Sequence, residues 1–178
     1  MVIGMSLEHF TLLHVVISLA GIMSGFVVTY GLLGGKRLDL WTAFFLVTTI
    51  LTSATGYLFQ FHELLPSHIV GAISLLILPL AVFARYVRRL AGSWRRTYVL
   101  SAMIALYLNV FVLIVQVFLK IPALKEIAPT GTEAPFKLAQ LLVLAVFVLL
   151  AVLADRKFRP AITGLHTSVA FFRRDGAD

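Results

Sequence analysis

Five runs of about 20 mostly apolar residues, divided by short polar gaps, limit what this chain can become more than any other feature. A helix crosses the hydrocarbon core of a bilayer in about 20 residues, because each backbone polar group there must find its partner inside the segment. The runs extend from about Phe10 to Leu33, Leu40 to Phe61, Ser67 to Val87, Tyr98 to Leu119 and Phe136 to Ala154. Between and after them lie GGKRLD, HELLPS, RRLAGSWRR, KIPALKEIAPTGTEAP and DRKFRP, rich in the glycine, proline and charge that punctuate helices. The sequence therefore predicts an all-α integral membrane protein. Residues 1–155 form one bundle of five transmembrane helices, and residues 156–178 form a basic tail.

Composition agrees. The chain is 60% hydrophobic and 13% charged, with a mean hydropathy of +0.99, far from the balance of a soluble domain. Its aqueous segments are too short for a second folded domain. No period of 20 to 50 residues repeats, and an odd number of spans does not divide into two equal inverted halves, so a duplicated transporter fold is disfavoured. The absence of cysteine excludes disulfides, thiolate metal sites, iron–sulfur clusters and covalent c-type haem, while non-covalent cofactors remain open.

The distribution of charge sets the expected orientation. Twelve of the fifteen basic residues lie after the first, third and fifth runs; with four aspartates there, that side carries +8. The other side holds Lys120, Lys125 and Lys137 against four glutamates, a net −1. The positive side of a multi-pass protein stays in the cytoplasm. The expected arrangement is thus a bacterial inner (plasma) membrane protein with the N-terminus outside and the C-terminus cytoplasmic. MVIGMSLEHF lacks the basic start of a signal peptide, so the first span is expected to be retained. The tail PAITGLHTSVAFFRR has two readings: an interfacial helix with Phe171 and Phe172 in lipid and Arg173 and Arg174 at head groups, or a disordered segment. RYVRRLAGSWRR lies between two spans and reads as topogenic anchoring; no nucleic-acid partner is expected.

Polar residues gather toward the other face. His9 and His14 fall at the outer end of span one, Gln60, His62 and Glu63 at that of span two, and His68 at the start of span three. Gln116 and Lys120 close span four on the same side. For His9, Glu63 and Lys120, solvation at a helix end is explanation enough. His14 lies deeper and should face the bundle interior. Ser18, Gly21 and Gly25 follow it at helical spacing, a small-residue stripe that permits close helix packing. Span two carries Thr49, Thr52, Ser53, Gly56 and Gln60 on one face, and Asn109 is the most expensive neutral polar residue near mid-membrane. Together these suggest an outward-opening polar funnel, with His14, Gln60, His62, His68 and Gln116 at its mouth and Asn109 below. Pro66 helps close the hairpin between spans two and three.

Three classes of function fit. Candidate cofactor ligands are His14 with His68, or with His62, holding haem b or a metal in a redox or quinone-linked protein. A small-molecule or proton-linked carrier would use the same polar face. The reading the sequence favours is non-catalytic: a component of the lipid bilayer whose stripes are packing faces for a second copy or for partner subunits of a larger membrane complex. Gly-rich phosphate loops, HExxH, G-x-S-x-G and paired carboxylates within the spans are all missing from the sequence.

The stretches SATGYLFQFHELLPSHIVGAISLL, ALYLNVFVLIVQVFLKIPAL and APFKLAQ, covering spans two to five, resemble those of small multi-pass bacterial inner-membrane proteins with no assigned activity. The resemblance implies a location and no catalytic residue. Paired, deep histidines of the cytochrome b561 or respiratory cytochrome b kind are not found.

Overall fold

The first helix begins where Ser6 can cap it: the serine hydroxyl accepts the His9 amide and lies 2.5 Å from His9 Nδ1. In the computed structural model, which describes residues 4–59 and 66–159, this helix, α1, runs Leu7–Leu33. It ends in a Schellman turn, with the Gly35 amide on the Leu32 carbonyl and the Lys36 amide on the Gly31 carbonyl. Gly35 takes φ +67°, a left-handed geometry that costs glycine little, and the chain reverses at once into α2, Asp39–Gly56. Then follow α3 (Pro66–Val82), a π-helical turn over Phe83–Val87, α4 (Trp94–Lys120), the short α5 (Pro122–Ile127) and α6 (Ala134–Lys157). Proline stands at the first turn of α5 and of α6, where its missing N–H costs nothing.

Among the described residues, four helices are long and apolar enough to cross a membrane: Leu7–Leu33, His68–Val87, Trp94–Lys120 and Ala134–Lys157. The second helix is shorter and more polar. It has 18 residues, among them Asp39, five threonines and Ser53, and it stops at Gly56 rather than continuing to Phe61. Gln60–Leu65 and the tail from Pro160 lie outside the described residues, so the expected features at Gln60, His62, Glu63, Phe171 and Phe172 do too. Pro66, expected in the hairpin, is the first residue of α3.

The helices α1 and α2 pack antiparallel in one register. His14 meets Thr55, Gly21 faces Thr48 and Thr49, Gly25 faces Phe45, and Gly31 faces Leu38. The central element is α4, which touches α1, α2, α3 and α6. Along α6 it is matched by Phe118 with Phe136 at 5.4 Å and Tyr107 with Phe147 at 5.7 Å between ring centres. The buried core runs through Phe45, Leu46, Leu78, Tyr98, Ala102 and Leu106.

Polarity is distributed inside out. Ser24, Thr29, Thr42, Thr48, Thr49, Ser53, Ser74 and Ser101 are buried, whereas Leu138, Leu141, Leu142, Leu149 and Val152 of α6 are exposed. A chain in water would do the reverse; one in lipid gains nothing by hiding leucine, and small hydroxylic residues let its helices approach. Several hydroxyls cost little because they return to their own helix. Ser18 donates to His14 O, Ser24 to Ala20 O, Thr29 to Gly25 O, and Ser101 to Thr97 O. Of the most apolar window of α6, 11% is buried, against 28% for each of the other three, so α6 is the outermost of the four.

Alternating directions bring the α1–α2 turn, the π turn, the α3–α4 connection and the C-terminal end of α6 to one end of the bundle. Ion pairs tie that end together, among them Arg85 to Asp39 and Arg95 to Asp155. It also carries Lys36, Arg37, Arg88, Arg89, Arg96 and Arg156 and is called here the basic end. The chain there is strained: Arg89 and Leu90 take φ +49° and +62°, a conformation that L side chains avoid at about 1–2 kcal/mol each. The bend lets the Leu90 amide reach the Ala84 carbonyl and close the π turn.

Candidate functional site

At the opposite end, the position of His14 is fixed by Thr55. The Thr55 hydroxyl donates to Leu51 O at 2.7 Å, which leaves its lone pairs for the His14 Nδ1–H at 2.8 Å. The Phe59 ring stands perpendicular to the imidazole at 5.2 Å between centres, and the Cβ that Gly56 lacks would sit 3.9 Å from His14 Cε1. In the neutral ring this network puts the lone pair on Nε2, the atom with which such a histidine would hold a metal.

His68 engages α2 through a different residue. Tyr57 donates its hydroxyl to the His68 carbonyl at 2.6 Å, packs its ring over Gly71, and lies 6.1 Å from the His68 ring. Thr55 and Tyr57, two residues apart, point to well-separated sides of a helix turning 100° per residue. His14 from α1 and His68 from α3 are thus attached on two flanks of the same helix end. Among the described residues no group of three or more His, Cys, Asp or Glu comes together as a metal site.

Asn109 donates to Thr49 Oγ1 at 3.3 Å, a bond between α4 and α2. Gln116 is half-buried on α4, and Lys120 is exposed at its last residue. The small-residue stripe on α1 is used within the chain: Gly21 lies under Thr48 and Thr49, and Gly25 is enclosed by Leu106 and Phe45. Ser18, between His14 and Gly21, is bonded to its own helix. Gln140, which the sequence reading did not single out, donates from α6 to the Phe111 carbonyl of α4 at 3.2 Å. A groove of about 90 Å³ between α4 and α6 is lined by Met103, Tyr107, Leu144 and Phe147, well away from the histidines and almost wholly apolar.

The strongest polar constellation is at the basic end and was counted in sequence only as loop charge. Arg85, in the π turn, is 3% exposed. It donates to Asp39 Oδ1 at the first residue of α2 and lies over the Tyr98 ring at 5.3 Å, while the Tyr98 hydroxyl is 3.3 Å from Thr42 Oγ1. Pro79 and the π turn explain its position. Proline removes one helix hydrogen bond, and the wider turn adds a residue that shifts the helix phase by about 100°, so Ala84 and Arg85 are both buried. The signal was present in the sequence, since Arg85 falls inside the third apolar run and Asp39 opens the second. Nearby, Arg95 donates to the Asp155 and Phe158 carbonyls at 2.7 Å each and so caps α6, and Arg96 meets Asp155 Oδ2 at 3.0 Å.

Fold and site define an all-helical chain with four helices able to cross a membrane, polar at its helix interfaces and basic at one end. No protein-family model matches it, and neither the curated proteins nor the solved structures yield a match.

Proposed function

We propose that this chain is a five-span protein of the bacterial inner membrane, N-terminus outside, and that it serves as a non-catalytic component of a membrane assembly, with copies of itself or with partner subunits. Helix α2 is then the fifth span: too polar to stand in lipid alone, it is sheltered by α1, α3 and α4. The observation that carries the reading is the fate of the interior polar side chains. His14, Asn109 and the Gln140 amide nitrogen each bond another helix, at Thr55, Thr49 and the Phe111 carbonyl, which is the work of interhelical fastening. The exposed leucine face of α6 supplies a surface for lipid or for a neighbouring helix.

Native mass spectrometry and an oxidised and reduced absorbance spectrum of the protein, extracted from its native membrane in mild detergent, test this. The reading expects a colourless particle heavier than the 19.6 kDa chain. A single 19.6 kDa chain bearing a Soret band that disappears in His14→Ala would replace it with the redox reading, which the His14 Nε2 lone pair favours.

A further inference from the structure

The ion pairs at the basic end leave one charged group incompletely used. Arg85 commits Nη2 to Asp39 and its face to Tyr98, while Nη1 is buried without a hydrogen-bond partner. A buried cationic donor lacking an acceptor is unfavourable, and the adjacent helix terminus shares the deficit. Leu38 stands at the N-cap of α2 and offers no side-chain oxygen, so the amides of the first turn have no cap. Arg37 Nε lies 3.7 Å from the same Asp39 oxygen. Two guanidiniums therefore meet at the Asp39 carboxylate, beside a helix terminus whose dipole is positive and whose first-turn amides lack a side-chain cap.

An acid already stands there, but loosely. The Asp39 side chain is held by both arginines and is still 71% exposed, whereas that of Arg85 is 2% exposed. Of the pair, the short Asp39 side chain is the one that faces solvent, and the arginine is the one enclosed. We propose that the N-terminus of α2, with Arg37 and Arg85, is a binding site for a phosphate group, and that Asp39 is its internal competitor. Arginine suits this ligand because its planar fork matches phosphate oxygens in pairs. The phosphate belongs to an anionic phospholipid head group of the cytoplasmic leaflet or to free inorganic phosphate. The first source rests on the orientation proposed above.

The test uses the full chain in nanodiscs of phosphatidylcholine with and without phosphatidylglycerol, with retained lipid counted by native mass spectrometry. Wild type should keep phosphatidylglycerol in several-fold preference. Arg37→Gln and Arg85→Gln should lower that preference several-fold, and Asp39→Asn should raise it. Two controls separate a site from a charged surface: Arg88→Gln, at the same end but stacked on Trp94, and Asp155→Asn, which makes the same charge change as Asp39→Asn. Equal effects of Arg37→Gln and Arg88→Gln, or of Asp39→Asn and Asp155→Asn, would overturn the proposal. Should Arg85→Gln fail to fold, the Arg37 and Asp39 variants still decide.

Titration with inorganic phosphate in pure phosphatidylcholine discs, read by fluorescence of Trp41 in the first turn of α2, separates the two sources. A saturable change lost in Arg37→Gln assigns the site to the free anion; a silent titration with the lipid preference intact assigns it to the head group. The absence of both a phosphate response and a lipid preference would refute it. Nanodiscs present both leaflets to the same lipid, so the outcome is independent of the orientation, which reporter fusions test separately.

Discussion

The imidazole of His14 and the hydroxyl of Thr55 meet at 2.8 Å across the α1–α2 interface, each in the only role its neighbours leave it. Removing Thr55 should leave the His14 Nδ1–H unpaired at a half-buried helix contact, whereas removing His14 leaves Thr55 its bond to Leu51 O. In a double-mutant cycle of His14→Ala and Thr55→Val, followed by unfolding in detergent, the coupling should be about 0.6 kcal/mol, the average for interhelical hydrogen bonds in a membrane protein. Strictly additive costs would show that the bond contributes nothing.

The small-residue stripe predicts an order of sensitivity. A Cβ at Gly25 would lie 2.5 Å from Leu106 Cδ1 and 2.9 Å from Phe45 Cε2, both on buried side chains with little room to retreat. Gly25→Ala should cost about 1–3 kcal/mol by overpacking. At Gly21 the nearest atom is Thr48 Oγ1 at 3.2 Å, and the better helix propensity of alanine offsets part of the strain. Its thermal stability in detergent should therefore fall less than that of the Gly25 variant. The reverse order would mean that the α1–α4 contact is looser than described.

At the basic end, losing one partner of the ion pair should hurt more than losing both. Asp39→Asn takes the charged acceptor from a buried guanidinium and should cost about 1–3 kcal/mol without anionic lipid. Adding Arg85→Met removes the stranded charge and should restore much of that loss. A double variant less stable than Asp39→Asn alone would show that Arg85 holds the bundle by something other than this pair.

Much of this architecture was legible in the sequence, and the gaps have physical causes. The apolar runs marked the four long helices because the length needed to span lipid is set by helix rise alone. Their ends moved by a few residues, for example where Ser6 caps α1 and Pro135 stands in the first turn of α6, both in flanking polar sequence. The polar stripe of α2 was visible, and Asn109 was expected to bond across helices or line a path; its bond to Thr49 is of the first kind. The burial of Arg85 was not visible because a positive-inside count treats each basic residue alike and does not register the phase shift of a π turn. The relation of His14 to His68 was beyond reach, since periodicity gives the face of each helix but not its neighbour.

In the connection before α6, acidity should act through Glu133. Its carboxylate accepts the Thr130 hydroxyl at 2.7 Å and the Thr130 and Thr132 amides at 3.1 and 3.0 Å. The Thr130 hydroxyl bond foremost, with those amides, holds its pKa below the ordinary glutamate value. A depressed folded pKa means that this contribution is present above the unfolded pKa and is lost as pH falls through the folded one. A carboxyl carbon NMR titration should place the Glu133 midpoint below that of a free glutamate, and Thr130→Val should raise it. An unchanged midpoint in Thr130→Val would remove the hydroxyl as the cause.

The proposed threading of five helices through the membrane, on which the functional reading rests, is tested most directly by alkaline phosphatase fusions after Leu58, Arg89 and Lys125. The account predicts activity, silence and activity in that order, because the enzyme folds only outside the cytoplasm. Silence after Leu58 would show that α2 does not cross, and activity after Arg89 with silence after Lys125 would invert the orientation and contradict the account.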